Sequence, residues 1–434
     1  MIGREWRCLV FVAALSIGLS AWAADLPRAQ PQEVGFSPER LAHIDEFYAG
    51  KVKNGELAGI VTLIARHGKI VHFSAVGYAD VEKKQKMQTD TIFRIYSMTK
   101  PIASTALMML YEEGRFQMND PLKNYIPEFA NLRVLRAPDG PLDDTVAPAF
   151  APTVQDIMRH TAGFTHGLGI DAYDNQYTKA NVFGLDVSLA EMMTKLSQMP
   201  LRYQPGTKFS YSVGPDVQAR LVELLSGMPF DEYLDKRLFK PLGMKDAGFW
   251  LPADKSKRLA TVHWAKDGKL VPLDEAHGHP VGGVIMQPWS VNSYTVNHKH
   301  KGGSFGLVAT AEDYWRFAQM MLNGGEFGGT RFLSPRTVRF MARDHLGAIP
   351  LEGPGGRPSG MGFGLGFGIM KDPAMAGYMS SEGSYFWAGA AATHFWIDPK
   401  EDLVVVAMTQ HLGAPAADAL LPQLRTLVYS ALTE

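Results

Sequence analysis

Ser97 and Lys100 stand three residues apart in IFRIYSMTKPIASTALMMLYEEG, residues 92–114. A serine hydroxyl is a weak nucleophile until a neighbour accepts its proton, and a lysine amine with a lowered pKa can do that. Three positions apart on a helix, the two side chains share a face. Tyr211, in PGTKFSYSV (residues 205–213), read as a Pro-Gly turn leading into a short extended segment, adds a phenol able to relay a proton. Ordinary readings stand beside these: a capping serine with a solvated lysine, and a core tyrosine with a satisfied hydroxyl. A third stretch, SYFWAGAA (384–391), reads as the start of the penultimate strand and is rich in small residues that let backbone approach a substrate. A rival serine lies in Gly302-Gly303-Ser304-Phe305-Gly306, a literal G-x-S-x-G. That motif needs a tight turn between a strand and an immediately following helix. Here Leu307, Val308 and Ala309 follow as extended chain and the helix signal waits until Thr310, so Ser304 reads as a glycine-rich turn near the site.

Pro101 locates the element that must present Ser97. A ring without an N–H is tolerated where first-turn donors have no partner, so helix entry lies close to Ser97. Ile102, Ala103, Ala106, Leu107 and Leu110 recur at helical spacing and Gly114 is a natural stop. The pattern predicts an extended run over 92–96 feeding a buried helix. Backbone N–H groups and the positive helix end would then face Ser97, a ready site for a developing oxyanion.

The rest of the chain supplies a scaffold. Ser37-Pro38 opens a helix to about residue 52, and 60–65 with 70–75 form a hairpin around His67-Gly68. Thr153 with Asp156 and Ser188 with Glu191 are capping-box patterns, and residues 215–226 make a helix stopped by Gly227. The stretch RAPDGPLDDTVAPAFAP, 136–152, reads as a surface loop. Residues 251–300 read as irregular and carry His263, His277, His279, His298 and His300, with no spacing that completes a metal site. Helical signals return at Thr310 and at Ser334-Pro335. MGFGLGFGIM reads as one strand stripped on one face by Gly362, Gly364, Gly366 and Gly368. Strands at 392–397 and 403–409 and a last helix from about 414 close the chain. Strands at both ends with helices between predict a mixed α/β fold of the α+β type: an antiparallel sheet built from both chain ends, flanked by helices, with a mostly helical insertion. The α/β part takes about 24–115 and 300–434, and the helical and irregular part about 116–299.

With 434 residues, 46% hydrophobic and 20% charged, the chain can bury a large core. Arg4 and Arg7 precede CLVFVAALSIGLSAWA, which ends in Ala21-Trp22-Ala23. A basic start, a short apolar run and an A-x-A end describe a cleaved signal peptide over 1–23, with export to the periplasm or medium and no stable membrane insertion afterwards. Cys8, the sole cysteine, leaves with it, so residues 24–434 can form no disulfide and no cysteine metal site. Loss of Arg4, Arg7 and Glu5 leaves 41 basic and 43 acidic residues, a balance that points to neither nucleic acid nor an anionic membrane.

In order and spacing the three chemical stretches resemble the serine β-lactamase and penicillin-binding-protein superfamily, closest to class C β-lactamases and the family VIII carboxylesterases sharing their fold. Ser97-Met98-Thr99-Lys100 matches the S-x-x-K box, Tyr211-Ser212-Val213 the Y-x-N box and Trp387-Ala388-Gly389 the K-T-G box. VQDIMRHTAG, PGTKFSYS, KGGSFGLVATAEDYWRF and THFWIDPKEDLVVVAMTQ look like the same family, and the likeness covers nearly all of 24–434. The resemblance implies that Ser97 attacks an acyl carbonyl, that Lys100 and Tyr211 move its proton, and that the backbone N–H groups of Ser97 and Ala390 hold the oxyanion, with no cofactor. Val213, Trp387 and Gly389 would face substrate. Val213 replaces an asparagine that bonds the substrate amide and Trp387 a lysine that pairs with the substrate carboxylate, each contact being worth about 1 to 3 kcal/mol. Both departures are similar to the esterase branch and imply a small-molecule, short-chain ester as substrate. A β-lactamase, a D-alanyl-peptide hydrolase, or a non-catalytic binding domain on the same scaffold are the alternatives.

Overall fold

The computed structural model describes residues 26–167, 171–273, 294–352, 359–413 and 415–434; the expected leader with Cys8, and His277 and His279, lie outside them. Strands and helices are numbered here in chain order. Ser37 accepts a hydrogen bond from the Arg40 N–H and Pro38 follows, which starts helix α1, Pro38–Lys53. Strands β1 (Gly59–Arg66) and β2 (Lys69–Asp80) form a hairpin whose turn residues, His67 and Gly68, have φ of 52° and 70°. A two-residue loop with both φ positive matches strand twist. Next come β3 (Gln85–Lys86), the buried helix α2 (Thr99–Glu112) and the helices α3 (Val154–Met158), α4 (Leu189–Ser197) and α5 (Gly214–Ser226). Thr153 with Asp156, Ser188 with Glu191, and Thr310 with Asp313 close reciprocal capping boxes, the last at helix α6, Ala311–Leu322. Strands β4 (Met361–Phe363), β5 (Gly368–Met370), β6 (Tyr385–Gly389), β7 (Thr393–Asp398) and β8 (Leu403–Met408) precede the last helix, α7, Pro415–Ser430.

The eight strands form one sheet in the order β4-β5-β6-β7-β8-β1-β2-β3, antiparallel throughout, so β8 from the C-terminal end pairs with β1 from the N-terminal end. Both faces are covered, which is why β1 and β8 read as apolar runs rather than as alternation. Val61, Leu63, Val404 and Val406 join the core with α2 and α6, while Ile60, Ile64, Leu403 and Val405 join the core with α1 and α7. The side-chain period of two divides one sheet between two cores.

Five expectations are corrected or refined. MGFGLGFGIM is a hairpin, β4 and β5, with Gly366 in the turn at φ 92°. Period-two spacing of glycines cannot distinguish a strand from two short strands around a turn. SYFWAGAA forms its own strand, β6, paired with β7. The 251–300 stretch contains a hairpin, His263–Lys266 with Lys269–Pro272, and the 136–152 loop pairs Thr145–Val146 with Val134–Leu135. Residues 205–213 are irregular rather than extended and lead directly into α5.

Candidate active site

Ser97 lies in a single 3-10 turn, Tyr96–Met98, that runs into α2. Tyr96, the bulky residue before it, takes φ 43°, a conformation that persists only where the surroundings impose it. Those surroundings come from the 305–314 segment. The Ile95 N–H donates to the Leu307 carbonyl at 3.0 Å, Leu307 N–H to Thr99 Oγ1 at 3.3 Å, and the Tyr314 hydroxyl to the Met98 carbonyl at 3.0 Å. Strand β6 closes the other side. A Cβ at Gly389 would lie 2.4 Å from the Ile95 carbonyl oxygen and 2.2 Å from Thr393 Oγ1, so only glycine lets this strand approach. Ala390 is exposed at the first position after β6, next to that contact.

Lys100 is buried, with its ammonium donating to Ser97 Oγ at 3.0 Å and to the Ser304 carbonyl at 2.7 Å. The same ammonium stands 4.6 Å from the centroid of the Tyr211 ring, within cation–π range. Thus the structure brings Ser97 and Lys100, on one continuous segment, together with Tyr211 from another.

Tyr211 sits among rings: His160 at 4.8 Å, Trp387 at 5.6 Å and His166 at 5.7 Å between centroids. Phe363 meets both Trp387 and His160 at 5.2 Å, and Phe209 meets Phe363 at 5.3 Å. His160 orders this cluster. Its carbonyl accepts the Ser210 N–H at 2.8 Å, and its Nδ1 accepts the Ser212 N–H at 3.1 Å, so the residues on both sides of Tyr211 are tied to it. The same Nδ1 lies 2.9 Å from the Ser212 hydroxyl, and this pair of contacts suits a neutral ring. Burial, then the charges of Lys100 and His166, push His160 well below the ordinary histidine range, in agreement.

Val213 departs from expectation. Its side chain is 1% exposed and belongs to the main core, and its N–H is taken by the Thr165 carbonyl at 3.0 Å. It begins α5 from the core rather than forming the cleft wall. Trp387 does line the cluster, half-buried, with an indole N–H that finds no acceptor.

Ser304 is buried, and its hydroxyl donates to the Asp216 carboxylate rather than facing the cluster. The extended pair Val308–Ala309 separates it from α6. Sequence reasoning did not single out His160, Phe209, Phe363 or Asp216. His160 lay in a stretch already noted for its likeness, VQDIMRHTAG, but Asp216 carried no signal, because an acid in the first turn of a helix is ordinarily a solvated dipole partner.

An open cleft of about 760 Å³ lined by Tyr378, Ser380, Glu401 and Tyr429 includes none of these groups, so the chemistry and not the volume marks the site. No group of three or more histidine or acidic residues placed to hold a metal occurs among the described residues. Nor is any described helix long and apolar enough to cross a membrane.

Known proteins share this sequence pattern and fold. A family model described as Beta-lactamase matches residues 44–430. An uncharacterised protein of Mycobacterium tuberculosis is 34% identical over 373 residues, covering 84% of this chain and 88% of its own. Esterase EstB of Burkholderia gladioli is 29% identical over 399 residues, covering 90% of this chain and 95% of its own. The solved structure of EstCE1, a hydrolase with promiscuous acyltransferase activity, superposes with a TM-score of 0.75 at 25% identity, covering 90% of this chain and 98% of that one. With the antiparallel sheet, the S-x-x-K turn and these relatives in agreement, the chain belongs to the β-lactamase family and is a serine hydrolase.

Proposed function

We propose that the protein hydrolyses short-chain carboxylic esters through an acyl-enzyme on Ser97. One observation carries the reading: the Lys100 ammonium is 3.0 Å from Ser97 Oγ beside a wall of aromatic rings, with Trp387 where a substrate carboxylate would need a cation. Such a wall favours neutral, apolar groups over charged ones. In the proposed reaction the Lys100–Tyr211 pair starts with one of its two sites free of a proton; Ser97 Oγ bonds to the acyl carbon as its proton passes to that site, and the carbonyl oxygen becomes an oxyanion. The N–H groups of Ser97 and Ala390 hold that charge. As the oxyanion collapses, the bond to the alcohol oxygen breaks and the proton passes to it. Water then attacks the acyl carbon, giving up a proton to the same pair; the bond to Ser97 Oγ breaks, that proton passes to Oγ, and the carboxylic acid leaves. An alcohol in place of water would give acyl transfer, the side activity named for EstCE1.

Turnover of p-nitrophenyl acetate, butyrate and octanoate by the parent, Ser97→Ala and Ser304→Ala tests this. Activity lost in Ser97→Ala, retained in part in Ser304→Ala and falling with chain length is expected. Far more efficient cleavage of nitrocefin than of any of these esters would move the assignment to a β-lactamase. Export is part of the proposal, resting on the basic, apolar and A-x-A pattern of 1–23. N-terminal sequencing of protein recovered from the periplasm or medium should begin at Ala24.

A further inference from the structure

We propose that Asp216 is a positioning residue, acting through Ser304 to aim Lys100 at Ser97. The inference rests on the reading of Ser97 as the nucleophile, and a continuous chain of hydrogen bonds carries it. Ser97 Oγ receives the Lys100 ammonium at 3.0 Å, and that ammonium also donates to the Ser304 carbonyl at 2.7 Å. Ser304 in turn donates twice to one carboxylate, from its N–H to Asp216 Oδ1 at 3.0 Å and from its hydroxyl to Oδ2. Two bonds to a single rigid acceptor fix the frame of residue 304, and with it the direction of the carbonyl that Lys100 uses.

The loop around Ser304 is built for this approach. A Cβ at Gly302 would lie 2.7 Å from both Asp216 Oδ1 and His300 Nε2, and one at Gly303 would lie 2.1 Å from the Pro215 carbonyl oxygen. The two glycines before Ser304 therefore let the loop close onto the first turn of α5. What looked like a nucleophile motif is spent on this seat. Asp216 is wholly buried, where an acid is costly unless hydrogen-bonded. Burial pushes its carboxyl up, while His300, the two bonds from Ser304 and the Lys100 charge pull it back down. A carboxylate that only capped α5 would stay in solvent; this one is directed away from solvent at the loop that receives the catalytic cation.

Positioning and mere loop anchoring differ in what they change. Fluorophosphonate labelling rate at Ser97, kcat and KM for p-nitrophenyl butyrate, and the thermal midpoint should be measured for Asp216→Ala, Asp216→Asn and Ser304→Ala. Labelling rate and kcat should fall together at least tenfold in Asp216→Ala and recover in part in Asp216→Asn, which keeps an acceptor for the Ser304 N–H. Ser304→Ala, losing only the hydroxyl donor, should fall between them, and KM should stay within twofold throughout. A folded Asp216→Ala or Ser304→Ala that labels at the parental rate, or an effect confined to KM, overturns the proposal. Should Asp216→Ala not fold, Ser304→Ala decides alone. Labelling that survives in Ser97→Ala would instead remove the nucleophile reading itself, a different failure from parental labelling at Ser97.

Discussion

Tyr211 presents two features to Lys100, a ring and a hydroxyl, and they contribute differently. The ring stands 4.6 Å from the ammonium and steadies it at a value of about 0.5 to 2 kcal/mol. The hydroxyl is the part that can move a proton, a role ordinarily worth about 10²–10⁴ in rate. Tyr211→Phe keeps the first and removes the second. It should leave the thermal midpoint nearly unchanged and lower kcat on p-nitrophenyl butyrate at least a hundredfold; a loss of only a fewfold would assign Tyr211 to packing. Val213 yields an opposite expectation. Because its side chain is in the core and not on the cleft, Val213→Asn would bury an amide without partners and cost about 1 to 3 kcal/mol. Denaturant unfolding should show that loss while nitrocefin turnover stays flat; a marked gain in nitrocefin turnover would mean the asparagine reaches the cleft. Comparing motif boxes gives a position but says nothing of which way its side chain points.

At the scale of elements, local signals were the legible ones. Ser37-Pro38, the three capping boxes and Gly227 each set a helix boundary through bonds made within four residues, so the sequence alone displays them. S-x-x-K is equally local, and the turn Tyr96–Met98 with α2 holds both of its residues. What stayed hidden depends on distant partners. The β6 strand pairs with β7 and abuts the Ser97 turn, and SYFWAGAA alone reveals neither contact. The Asp216–Ser304 bond spans 88 positions and leaves no pattern at either end. Gly389 is the element-scale hinge of the site, since it sets how near β6 comes to Ile95. Gly389→Ala puts a methyl within 2.4 Å of a carbonyl oxygen, an overpacking that typically costs about 1 to 3 kcal/mol. The strand should be pushed off the turn, lowering the thermal midpoint and kcat together, the latter more than tenfold. A variant with reduced midpoint but parental kcat would show that the spacing of β6 from Ser97 is not critical.

Over the whole molecule, the histidines set the response to acid. Burial pushes His72, His160, His166, His263, His300, His345, His394 and His411 below their ordinary range, to about 4 at His263 and about 3 at His394. A histidine whose folded pKa is depressed is protonated first in the unfolded chain. Its contribution to stability is therefore complete above about pH 6.5 and is lost as pH falls from there toward the folded value. Two buried acids work the other way: Asp313, pushed up by burial to about 6, and Asp216 take up protons earlier when folded and gain stability on acidification. Among the described residues, eight groups against two leave a net loss, each histidine giving up about 1.4 kcal/mol per pH unit while only its unfolded form is protonated. Asp80 and Glu191, lowered to about 2, add nothing until the pH is nearer 4. The thermal midpoint should therefore drop steeply between pH 6.5 and 4.5, well above the range where carboxylates govern acid unfolding. His394 allows the cause to be separated, because both its ring nitrogens are buried without partners in β7 and no hydrogen bond is lost on replacing it. His394→Gln should make the acid limb shallower while leaving the midpoint above pH 7 close to the parent. A midpoint that stays level down to pH 5, or an acid limb identical in the variant, would place the acid response elsewhere than in the buried imidazoles.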